Sequence, residues 1–231
     1  MIKKLTLTSI AFFALVFFSF AQRGRVYVAD NFSGIQYSVP VNLYITISSK
    51  YEVKVEGVTE DIDWLIVEKN GADLKIRTKR GSHRFDKNTR IYVSMPALEN
   101  ISLAGSGSIT TEGIVKGRNL SLDLAGSGSV HLDAVNVENI AASISGSGNI
   151  EVDSKSAAVN AVLKIAGSGS INVNKIQAKN AEISIAGSGD VSAYASENCS
   201  IKVAGSGNVE CFGNPKNSEK MKYGSGTITI K

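Results

Sequence analysis

The chain has 231 residues, 43% of them hydrophobic and only 20% charged, with a formal net charge of +4. Lys3 and Lys4 are the only charges before Gln22, so residues 22–231 carry +2. So weak a field excludes a nucleic-acid binder, and two cysteines exclude a disulfide-dense scaffold, while a chain of this length buries its own core without staples.

Taken in chain order, Lys3 and Lys4 precede an apolar or small-residue run from Leu5 to Phe20, closed by Ser19-Phe20-Ala21. That pattern predicts a signal peptide over 1–21, cleaved after Ala21, because the run is shorter than the ~20 residues a spanning helix needs. No later stretch is apolar enough to cross a bilayer as a helix, so the expected destination is the periplasm, the cell surface or the medium.

Residues 22–100 read as a β-rich portion, either a cap or the first coils of one continuous structure. Arg25–Val28, Gly34–Tyr37, Val41–Ile47 and Tyr51–Val55 carry strand patterns, and a helical turn is expected at Glu60–Leu65. Ile66–Glu68 and Leu74–Ile76 form a hairpin joined near Asn70-Gly71 with Trp64 at its base, and Arg90–Met95 is one more strand, ended by Pro96. Between them Lys79 to Arg90 holds five basic residues against one acidic. Arg80, Arg84 and Lys87 are candidates for contacting an anionic glycan or lipid headgroup, the alternative being a solvated hairpin tip.

Residues 101–231 are organised by a repeat. Gly-Ser-Gly recurs with its two glycines at Gly105 and Gly107, Gly126 and Gly128, Gly146 and Gly148, Gly167 and Gly169, Gly187 and Gly189, Gly205 and Gly207, and Gly224 and Gly226, giving spacings of 18 to 21 residues. Apolar residues stand two and four positions before the first glycine in six repeats, as in Leu124/Leu122 and Ile185/Ile183, and four after it in all seven. Period two on both sides of a glycine turn predicts strands with one buried face, and a unit near twenty residues predicts stacking on neighbours. The fold class is therefore all-β, a parallel β-helix or β-solenoid with like side chains piled along its axis. One glycine per turn is expected at positive φ, the other where coils stack closely, with serine hydrogen-bonding locally and the preceding Ala or Ser filling a crowded corner. Met221 and Tyr223 shift the apolar alternation by one in the last repeat, which reads as a cap.

The turns are structural. The dinucleotide and phosphate-loop motifs need a following helix or Lys-Ser/Thr, and the calcium nonapeptide needs an aspartate in every unit. Outward positions place His131, Glu151, Asn172, Ser192 and Glu210 in one ladder, and Asp133, Asp153, Asn174 and Tyr194 in the next. Asp133 above Asp153 is the acidic pair worth naming for calcium, against a solvated polar face. His83 and His131 have no nucleophile or metal constellation around them and read as surface side chains. No catalytic, cofactor-binding or metal residue is assigned. Cys199 and Cys211 flank one turn, and whether they pair depends on how sharply the chain folds back there.

Asn31-Phe32-Ser33-Gly34-Ile35, Val41-Asn42-Leu43-Tyr44-Ile45, Tyr51-Glu52-Val53-Lys54-Val55-Glu56-Gly57 and the repeated Ala-Gly-Ser-Gly together resemble the putative auto-transporter adhesin head domain family, from about Asp30 to Ile230. The resemblance implies a right-handed β-helix-like fold in exported bacterial proteins, especially of the Bacteroidetes type, and brings no catalytic residues. With 231 residues no translocating barrel is expected after the solenoid. The functional expectation is a non-enzymatic envelope or surface binding module for an unknown glycan or protein, without cofactor. The alternatives are a polysaccharide lyase or glycosidase, which needs clustered carboxylates, and a structural or sensor subunit that associates end to end through its unpaired edges.

Overall fold

The computed structural model describes residues 23–231; the signal peptide expected at 1–21 lies outside the described residues. Strands dominate, and the only helix among the described residues is Thr59–Trp64. No described helix is long and apolar enough to cross a membrane.

Each repeat makes one coil. In the coil after Gly126, Ser129–Leu132 pairs in parallel with Asn149–Val152 of the next coil, and Ala134–Gly146 pairs in parallel with Ser156–Gly167. Short strands of the first kind build sheet A, and long strands of the second kind build sheet B. The long strands are not single walls. Inward side chains follow period two from Leu120 to Leu124, but Val137 and Ile140 are both buried three residues apart, as are Leu132 and Val135. An odd step resets the alternation, which a straight strand cannot do. Each coil therefore has three walls, with corners at Gly-Ser-Gly, near Asp133 and at Asn139.

The glycine corners behave as their composition predicts. The first glycine of all seven turns has φ between 109° and 135°. At Gly167 a Cβ would lie 2.2 Å from the Gly146 carbonyl oxygen, and at Gly169 one would lie 2.5 Å from the Gly148 oxygen, so neighbouring corners leave no room for a side chain. Two local expectations change. The serine is held through its backbone, the Ser147, Ser168 and Ser188 N–H groups each donating to the first glycine one coil earlier at 2.9 Å. The residue before each turn is exposed rather than crowded, because Ala125, Ser145 and Ala166 alternate with the inward residues and point to solvent.

Sequence reading missed the corner opposite. Asn119, Asn139, Asn160, Asn180, Asn198 and Asn217 stand seven residues before the first glycine in six successive repeats. Each Nδ2 donates to the Oδ1 of the asparagine one coil earlier at 2.7–2.9 Å, a single ladder along one edge of the solenoid. The interior columns are aliphatic: Leu103, Leu124, Ile144, Ile165, Ile185 and Val203 are each at most 2% exposed. Burial of such a side chain stabilises by about 1.5–3 kcal/mol.

The N-terminal windings are not stacked in chain order. Gly34–Ser38 and Asn42–Ile47 form a winding that pairs on one side with Asp73–Thr78 and Arg90–Met95 and on the other with Asn100–Gly105 and Ser108–Glu112. The first winding thus sits inside and the second closes the end. Antiparallel pairing is confined to this region, where Leu65–Asn70 borders sheet B and Glu52–Gly57 with Arg23–Tyr27 borders sheet A. At the other end Asn217–Tyr223 does not slip in register: Lys220 pairs with Ile201 and Lys222 with Val203. Lysines occupy the inward-facing positions, which ends the apolar column and discourages further strands from adding.

Candidate binding face and N-terminal cleft

Sheet A presents one outward polar row across all its strands but the first, Arg23–Tyr27. Lys54, Tyr92, Tyr44, Thr110, His131, Glu151, Asn172, Ser192, Glu210 and Thr229 are successive register partners across ten strands. At the ordinary strand spacing the row is about 43 Å long. It contains the predicted ladder from His131 to Glu210 and extends it toward the N-terminus. Tyr44 and Tyr92 stack there with ring centroids 5.4 Å apart and planes 21° from parallel. Tyr92 is 38% exposed, so the pair offers an open aromatic surface. Sequence reading could not join these two rings, because residue 44 meets residue 92 only through the inverted order of the first two windings.

A second row lies beside the first: Asn42, Ser108, Ser129, Asn149, Ser170, Asp190 and Asn208 are register partners in turn. Hydroxyls and amides of this kind both donate and accept hydrogen bonds. A shallow depression joins the two rows around Ser170, Asn172, Asp190, Ser192, Asn208 and Glu210, and another at the tyrosine end is lined by Thr46, Glu52, Lys54, Tyr92 and Ser94. The corresponding outward row of sheet B, Ser102, Asp123, Ser143, Lys164, Ser184 and Lys202, contains no aromatic ring.

Within the first row His131 Nδ1 is 3.7 Å from Glu151 Oε2, and the Asn172 amide donates to Glu151 Oε1 at 3.3 Å. One ligand atom each from His131, Glu151 and Asp153 lie within 4.8 Å of one another, the one such grouping among the described residues. An imidazole and two carboxylates are donors suited to a divalent transition metal. Of the acidic pair named from the sequence, Asp153 belongs to this grouping and Asp133 does not. Asp133 is consumed by the fold, its two oxygens accepting the Gly113 N–H at 3.2 Å and the Ser154 hydroxyl at 2.9 Å.

The basic segment is shaped by a group that composition alone would place in water. Asp61 is 1% exposed; its carboxylate accepts the Asp86 N–H at 2.8 Å and the Thr89 hydroxyl, and His83 Nε2 lies 2.6 Å from it. Trp64 stacks on His83 at 4.9 Å, and Phe85 meets the imidazole edge-on at 4.7 Å. His83 is thus only 16% exposed, not the surface side chain its sequence context suggests, because an aromatic sandwich and a buried carboxylate hold it. The segment is pinned at His83 and Thr89, while Arg80, Arg84 and Lys87 stay exposed to solvent. Arg84 and Lys87 line one cleft with Val58, Glu60, Phe85 and Asp86, while Arg80 is exposed outside it. Glu60 and Asp86 offset the two cations of that cleft.

Comparison with solved structures finds the same fold along nearly the whole chain. A putative adhesin from Bacteroides fragilis is 25% identical with a TM-score of 0.87, covering 92% of this chain and 98% of its own. A putative lipid binding protein from Parabacteroides distasonis is 27% identical with a TM-score of 0.76, covering 91% and 96%. A putative adhesin from Parabacteroides merdae, 17% identical with a TM-score of 0.71 over 91% and 96%, shares the fold. Comparison with curated proteins finds no match. Residues 31–215 match the family described as "Putative auto-transporter adhesin, head GIN domain", and the chain belongs to that family.

Proposed function

We propose that the mature chain is an exported, non-enzymatic binding module of the cell envelope that lays the outward face of sheet A on glycan chains. The observation that carries this reading is the unbroken polar row of sheet A with the stacked Tyr44–Tyr92 pair at one end. Sugar rings bind through apolar faces and through hydroxyls. The first need is met by an exposed aromatic pair, and the second by rows of amide, hydroxyl and carboxylate groups that repeat at one strand spacing. A repeating surface meeting a repeating polymer gains by multivalency, so each contact is weak and the sum is useful. Family membership and the adhesin-described relatives support a surface binding role.

A second contact is supported by the exposed cations Arg80, Arg84 and Lys87, which outnumber the neighbouring Glu60 and Asp86, and by the lipid-binding description of one relative: the N-terminal loop touches anionic headgroups at the surface where the module is held. Both readings are tested with purified residues 22–231 on a panel of neutral and acidic polysaccharides and on vesicles with and without anionic lipid. Replacing Tyr44 and Tyr92 with alanine is expected to lower glycan retention about tenfold, one aromatic contact being worth about 0.5–1.5 kcal/mol. Replacing Arg80, Arg84 and Lys87 with serine is expected to lower only vesicle binding. Full glycan retention by the double-alanine variant refutes the first reading, and unchanged vesicle binding at low salt refutes the second. Release of reducing or unsaturated ends without retention would make the chain an enzyme.

A further inference from the structure

Five and seven residues after the first glycine of a turn the chain carries outward side chains whose chemistry changes from coil to coil. In the later coils they are Asn172 and Asn174, Ser192 and Tyr194, and Glu210 and Phe212. Only His131 with Glu151 and Asp153 of the next coil brings an imidazole and two carboxylates together among the described residues, one ligand atom of each lying within 4.8 Å of the others. The backbone beneath them is fixed. His131 and Glu151 are register partners in sheet A, and the Asp153 N–H donates to the Leu132 carbonyl oxygen at 2.8 Å. His131 Nδ1 stands 3.7 Å from Glu151 Oε2, which is long for a hydrogen bond. It is close to the separation of about 3.3 Å between two ligands each about 2.0–2.1 Å from one tetrahedral ion. The other Glu151 oxygen accepts from the Asn172 amide at 3.3 Å, the kind of outer contact that orients a metal-binding carboxylate. Asn172 Oδ1 is itself one of two buried side-chain polar atoms without a partner among the described residues, and a buried acceptor of that kind is ordinarily satisfied by a bound water or ion. The Asp153 carboxylate accepts no hydrogen bond among the described residues, because Lys175 on the following coil turns its ammonium to the Asp153 carbonyl oxygen instead.

We propose that His131, Glu151 and Asp153 bind one divalent transition-metal ion of the zinc class, bridging two neighbouring coils on the outer face of sheet A. The imidazole nitrogen selects against calcium and magnesium, which take oxygen ligands. Asp153 is the exposed member of the three and closes the remaining distance by rotation of its side chain. Three protein ligands leave a fourth position open. His131 and Glu151 are 36% and 39% exposed, so that position faces solvent, where it takes an oxygen donor such as a carboxylate or a hydroxyl. The ion lies on the row that ends in the tyrosine pair, with Thr110 between His131 and Tyr44. Metal binding here does not depend on whether that row holds glycan. The other soft donors are spoken for: His83 is held by Asp61 and two aromatic rings, and Cys199 and Cys211 are free thiols buried in the interior.

The test takes residues 22–231, produced without a histidine tag and stripped of metal, and titrates them with zinc chloride by calorimetry and by NMR of the imidazole rings. His83 and His131 are the only histidines, so two sets of ring signals are expected, and His131→Asn assigns them. One equivalent of zinc should bind, moving the His131 signals and leaving those of His83 in place, and excess calcium should not displace it. His131→Asn and Asp153→Asn should each weaken zinc binding by more than about tenfold. Neither side chain belongs to the core, so both variants should melt with the parent chain when zinc is absent. Zinc that leaves the His131 signals unmoved, or that binds His131→Asn as tightly as the parent chain, overturns the proposal.

Discussion

Asparagine at one corner of every coil is the feature whose contribution to stability can be worked out most directly. Asn160 donates to Asn139 at 2.8 Å and accepts from Asn180 at 2.9 Å, and both bonds are partly buried. Asn160→Ala removes both and leaves the Asn139 oxygen and the Asn180 amide without partners. At about 0.5–1.5 kcal/mol net for each bond, the expected loss is about 1–3 kcal/mol. For a chain of this size that is a fall of about 3–10 °C in the melting midpoint. Asn198→Ala also breaks two bonds of the ladder, but both are exposed and water replaces them, so its cost is expected below about 1 kcal/mol. Urea and thermal unfolding of the two variants beside the parent chain decide the matter. If Asn160→Ala melts with the parent, or if Asn198→Ala costs more, the ladder is decoration rather than a stabilising spine.

Two further outcomes follow from the corners and the cap. Gly167→Ala meets a φ of 135° and a carbonyl oxygen 2.2 Å away and should cost at least about 3 kcal/mol, whereas Gly71→Ala, at φ 63° with nothing within 4 Å, should cost about 1 kcal/mol, as compared by thermal melts. Lys220→Ile with Lys222→Val continues the apolar column to the open edge, so sedimentation at rising concentration should reveal stronger end-to-end association than for the parent chain.

The repeat was legible because the corner glycines and the period-two aliphatics are imposed by the same stacking, at every coil and with little freedom. What stayed hidden depends on pairing between distant residues or on exceptions to composition rules. The third wall was masked because its alternation resets at Asn139 and its equivalents, so the inward positions fall out of phase with those around the glycines. The asparagine column was present in the spacing, seven residues before each first glycine, but asparagine alone reads only as a turn former. The inverted windings could not be read at all: Gly34 pairs with Asp73 on one side and Asn100 on the other, and local pattern carries no such order. That inversion is also what makes Tyr44 and Tyr92 neighbours. Asp61 and His83 escaped for a different reason, since a carboxylate with two donors and an imidazole around it can be buried where an isolated one cannot. In the last coil Lys220 and Lys222 mimicked a shift of register when the backbone had kept its place and only the side chains had changed.

The binding account is tested most directly by covalent footprinting of the mature chain saturated with a retained polysaccharide. Side chains of the outer row of sheet A, Tyr44, Tyr92, His131, Glu151 and Glu210, should be protected together, while Asp123, Lys164 and Lys202 on sheet B label as in the free chain. Protection confined to sheet B, or to the loop around Arg84 and Lys87, would contradict it.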